Sequence, residues 1–91
     1  MYYYFSKEEI EKIYFLAREN GAFSMEKEGD TMQLLEAYED DHKTIIVRLN
    51  NVCIEEITTH DKKHGEIISA IYYTIAGAQN IRYAISKGWT K

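Results

Sequence analysis

Residues 44–59 read TIIVRLNNVCIEEITT. In the first half Ile45, Val47 and Leu49 alternate with Thr44, Ile46 and Arg48, the period of a strand with one face buried. Asn50-Asn51 follows, and asparagine tolerates the positive φ that a two-residue hairpin turn demands. VCIEEITT then returns along the first strand. A two-residue turn sets Leu49 opposite Val52, Val47 opposite Ile54, His42 opposite Thr59 and Asp41 opposite His60. The alternation breaks at Glu55-Glu56, which reads as a β-bulge.

A second hairpin lies upstream. Phe23 and Met25 alternate with Ser24 and Glu26, and Gly29-Asp30 reads as a two-residue turn with glycine first. The return strand spans roughly Thr31 to Tyr38, with Met25 facing Leu34 and Lys27 facing Met32. Helices flank the four strands. Over residues 5–21, Ser6 and Glu9 form a capping box and Phe5 and Ile10 a hydrophobic staple, while Gly21 suits the left-handed residue after the last turn. Over residues 66–87, Ile67, Ile71, Ile75, Ala78, Ile81 and Ile85 make one apolar stripe, closed by Gly88 and Trp89. In Ala76-Gly77-Ala78 the small residues read as close approach of this helix to the sheet, with a helix–helix contact as the alternative. The order α-β-β-β-β-α predicts one α+β domain over residues 1–91: an antiparallel four-stranded meander with two helices packed on it.

Length and composition agree with that reading. Ninety-one residues, 45% hydrophobic and 29% charged, suit one domain with one modest core. A single cysteine excludes an internal disulfide framework. The opening MYYYFSKEEI has neither the basic n-region nor the apolar h-region of a signal peptide, so the expected compartment is the cytoplasm. Proline is absent and tyrosine occurs eight times. Heavy use of Ile, Lys and Tyr follows AT-rich coding, as in low-GC bacteria and their phages.

Charge is uneven. Residues 26–41 hold seven acids and one base, whereas residues 42–91 hold four acids and seven bases. The acids gather on the first hairpin and on EAYEDDHK, residues 36–43. Strand alternation puts Ser24, Glu26, Glu28, Leu35, Ala37, Ile46, Arg48, Cys53 and Glu55 on the face away from the helices. Apolar positions rimmed by acids resemble a protein-binding surface. The expected partner-binding residues are Glu26, Glu28, Asp30, Leu35, Glu36, Glu39, Asp40, Asp41 and Ile46, with Tyr2, Tyr3 and Tyr4 as added aromatic anchors. Such a surface would steer toward a basic protein and disfavour direct contact with nucleic acid.

No motif names a reaction. There is no phosphate loop, no dinucleotide fingerprint and no zincin motif, so no cofactor is expected. Cys53 lies mid-strand, away from the histidines, and reads as a small sheet residue rather than a nucleophile. His42, His60 and His64, with Asp41, could converge at one end of the sheet as a metal site, the weaker reading. The expected function is therefore a small acidic binding module, not an enzyme. By analogy of class it would be a phage or mobile-element accessory protein that inhibits a nucleic-acid-handling partner, as anti-CRISPR proteins do. The alternatives are a homodimeric structural or regulatory protein and a small metal-dependent enzyme.

Overall fold

Ser6 starts the first helix by the reciprocal cap its sequence encodes. Its Oγ accepts from the Glu9 amide at 3.1 Å, and Glu9 Oε1 accepts from the Ser6 amide at 2.7 Å. In a computed structural model, which describes residues 5–39 and 42–86, α1 runs Lys7–Asn20 and ends at Gly21 with φ 86°. Phe5 and Ile10, the two staple positions, are both buried. Four strands follow: β1 Ala22–Lys27, β2 Asp30–Glu39, β3 His42–Leu49 and β4 Val52–Thr58. Helix α2, His64–Ser86, closes the domain. Its expected end at Gly88 and Trp89 lies outside the described residues, as do Tyr2, Tyr3 and Tyr4.

The sheet is an antiparallel meander in the order β1-β2-β3-β4. Met32, Leu34, Ile45, Val47, Leu49 and Ile57 line one face. There they meet Ile10, Ile13, Tyr14 and Ala17 of α1 and Ile67, Ile68, Ile71 and Ile75 of α2 in one buried cluster. Both helices thus cover the same face, and among the described residues no helix lies on the other.

The second hairpin turns at Asn50-Asn51, with φ of 54° and 69° as expected. The first turns one residue earlier than expected. Lys27 pairs with Asp30, and the turn residues are Glu28 at φ 52° and Gly29 at φ 85°. Met25 therefore pairs with Met32 rather than Leu34. The slip moves the pairing by two residues, so each side chain keeps its face.

The bulge also moves. The register shift falls at Val47/Arg48: Arg48 pairs with Cys53 but Val47 pairs with Glu55, leaving Ile54 as the extra residue. Ile54 still packs against the core. The consequence is an exchange of faces. Glu56, paired with Ile46, now shares the open face, and Glu55 leaves it.

Gly77 does not bring α2 close to the sheet. It is exposed, and a Cβ built there meets nothing within 4 Å. Ala78, one residue on, is the member of the small triplet that packs on the core.

At the end of the sheet that carries both tight turns, a polar node locks the layers together. Asp30 is only 3% exposed. Its Oδ1 accepts from Asn50 Nδ2 at 3.0 Å and its Oδ2 from Gln79 Nε2 at 2.9 Å. Asn50 Oδ1 accepts in turn from the Thr31 amide at 2.8 Å. The node ties β2, the second turn and α2.

Candidate functional site

The pairing lays the open face out in rows. One row is Ala22, Leu35, Ile46 and Glu56; the next is Ser24, Gln33, Arg48 and Cys53. Leu35 and Ile46 sit side by side on the two central strands and are half-buried. Ala37 is half-buried and Thr44, paired with it, is buried. Glu26 and Glu56 are both exposed, one on each edge strand. Arg48 does not stand free between them. Its Nη2 donates to the Asn51 carbonyl at 2.9 Å and its Nη1 to Gln33 Oε1 at 3.4 Å. Cys53 is exposed on the same face, its thiol 3.8 Å from the Glu55 carbonyl.

The structure divides the expected acidic residues. Glu26 lies exposed on the open face, and Glu28 is exposed at the hairpin tip. Asp30 is withdrawn from the surface, because the earlier turn makes it the first inward residue of β2, where two side-chain amides claim its carboxylate. Glu36 pairs with Ile45 and so faces the helix side, not the open face. Its Oε2 is buried, without a hydrogen bond, and lies 3.5 Å from Lys43 Nζ. Asp40, Asp41 and the Glu39 side chain lie outside the described residues.

The three histidines separate into two places. The bulge carries His60 to His42, and their ring centroids are 4.8 Å apart. His60 Nε2 also lies 3.1 Å from Asp61 Oδ2. His64 is instead the first residue of α2 and faces α1. Its Nδ1 is 2.7 Å from the Tyr14 hydroxyl, whose oxygen accepts from Arg18 Nη1 at 3.1 Å. Tyr14, Arg18 and His64 thereby pin the two helices, with Phe15 edge-on to both rings. Among the described residues no group of three potential metal ligands comes together.

Two features escaped the reading of the sequence. Glu56 reaches the open face beside Ile46 because the bulge, with Ile54 as its extra residue, lies just before the Glu-Glu pair rather than within it. Gln79, a polar residue inside an apolar helix, is fully buried. Its only advance signal was the lack of any charge between Glu66 and Arg82. Among the described residues no helix is long and apolar enough to cross a membrane. Comparison of the chain with protein families, with curated proteins and with solved structures gives no match in any of the three.

Proposed function

We propose that this protein acts by binding another protein across the uncovered face of its sheet, and that the partner's surface is basic. The observation that supports the reading is the arrangement of that face: Leu35 beside Ile46 at its centre, Glu56 next to Ile46 on one edge strand, and Glu26 on the other edge strand, four residues along from the Ala22 that pairs with Leu35. Partly exposed aliphatic groups inside a charged rim are the composition of a separable interface. Carboxylates at the rim speed the approach of a positive partner and repel nucleic-acid phosphate. Glu28 extends the negative charge at one end of the sheet, and the sequence carries three further acids, Glu39, Asp40 and Asp41.

The partner class follows from the chemistry. Proteins that handle nucleic acid carry surfaces of Lys and Arg shaped for phosphate, so the partner is read as a nucleic-acid-handling protein whose groove the acids occupy. The activity is inhibition or regulation by occupancy, of the kind accessory proteins of phages and mobile elements carry out. It calls on no cofactor and no catalytic residue.

The test is affinity capture from a low-GC bacterial lysate, wild type beside a Glu26→Lys/Glu28→Lys/Glu56→Lys variant, with captured proteins identified by mass spectrometry. All three positions are exposed, so the thermal midpoint should hold. A basic, nucleic-acid-handling protein retained by the wild type, and bound about tenfold or more weakly by the variant, is the expected result. Equal retention by both, or none by either, would remove the proposal.

A further inference from the structure

Helix α2 has an outer face unlike that of an ordinary surface helix. Fifteen residues, 67–81, carry no charge. A helix at a protein surface normally turns charged or polar residues outward, whereas α2 turns a large aromatic and a large aliphatic residue to the surface alongside the exposed Asn80. Three of its outward residues fall on one line four apart: Tyr73, 69% exposed, Gly77, and Ile81, 45% exposed. The pattern is symmetric about Gly77. Large apolar residues stand four before and four after it.

Beside Ile81 the surface is concave. A cavity of about 460 Å³ is lined by Leu49, Asn50, Val52, Ile54, Ala78 and Ile81, between α2 and the second hairpin. Val52 at its wall is 61% exposed. One patch thus carries a protruding aromatic ring on one side of Gly77 and an apolar hollow on the other.

From this geometry we infer that α2 is the contact through which two copies of this chain pair, with a two-fold axis at Gly77. In an antiparallel pairing of two α2 helices about that axis, Tyr73 of the second copy comes against Ile81, at the mouth of the hollow. By symmetry the reverse contact forms as well. An interface of this type must complement itself, each protrusion meeting the depression that the axis generates from it. Gly77 lets the two backbones approach at the axis, where any Cβ would face its own copy. The lack of charge means that no ion is stripped of water on association. This inference does not rest on the open-face reading, because α2 lies on the opposite side of the sheet.

Sedimentation of the full chain from micromolar concentration to about 1 mM tests it. The expected mass moves from one 10.7 kDa chain to two. Gly77→Lys sets two like charges at the axis, and it replaces a poor helix former with a good one in open space. The variant should dissociate about tenfold or more readily while its dilute thermal midpoint stays level or rises. Tyr73→Ser should weaken pairing in the same way by removing the knob. A wild type that remains a single chain at about 1 mM overturns the inference. So does a dimer whose dissociation is unchanged in both variants.

Discussion

At the start of α1 a single carboxylate serves two elements. Glu9 Oε1 accepts from the Ser6 amide and, at 2.7 Å, from Lys27 Nζ on β1. The Lys27 ammonium first, and the Ser6 amide after it, hold the Glu9 carboxyl below its ordinary range. A carboxyl so depressed adds stability above about pH 4.5, its ordinary value, and that stability is lost as pH falls through the lower folded value. Glu9→Gln should therefore lower the urea midpoint at neutral pH and make it less sensitive to acid, a difference read by repeating the titration near pH 3. Asp30 is the second residue whose role is local and decisive. Asp30→Ala strands the amides of Asn50 and Gln79, the latter fully buried, and should cost about 1–3 kcal/mol by urea unfolding. The capping box could be read directly from Ser6 and Glu9, since all its partners lie within four residues. The Asp30 node could not, since its partners are 20 and 49 residues away.

Among the elements, turns and the bulge set what the strands present. Both described two-residue turns use positive φ at each central position, the type whose twist suits a hairpin. Glu28 holds its φ of 52° without the local hydrogen bonding that favours Asn there. Glu28→Asn creates Asn-Gly and should raise stability by about 0.5–1 kcal/mol, measured as a higher midpoint of chemical unfolding. The strand order was legible because alternation survives a two-residue slip. The choice between turning at 28–29 and at 29–30 was not, because Gly29 permits either and the buried amides that claim Asp30 belong to distant elements. The bulge shows the opposite sensitivity. A single extra residue exchanged Glu55 for Glu56 on the open face and brought His60 to His42, so of the expected site the central Leu35 and Ile46 were legible but the rim beside them was not.

For the molecule as a whole, the sheet separates two surfaces of different chemistry. The open face mixes aliphatic and acidic groups, whereas α2 is uncharged from residue 67 to residue 81. Pairing through α2 would leave both open faces outward, so a dimer would present two sites and gain from any partner with repeated basic surfaces. The Asp30–Gln79 contact bears on how the chain is made. Synthesis runs from the amino end, and residues that meet only across a long stretch of chain come together late. All four strands are out of the ribosome before α2 is, and until position 79 arrives the sheet has half a core and an Asp30 carboxylate lacking one of its amides. Helix α2 therefore closes the fold. A nascent chain arrested ahead of it would be held open, available to proteases or to chaperones, whatever the local quality of its hairpins.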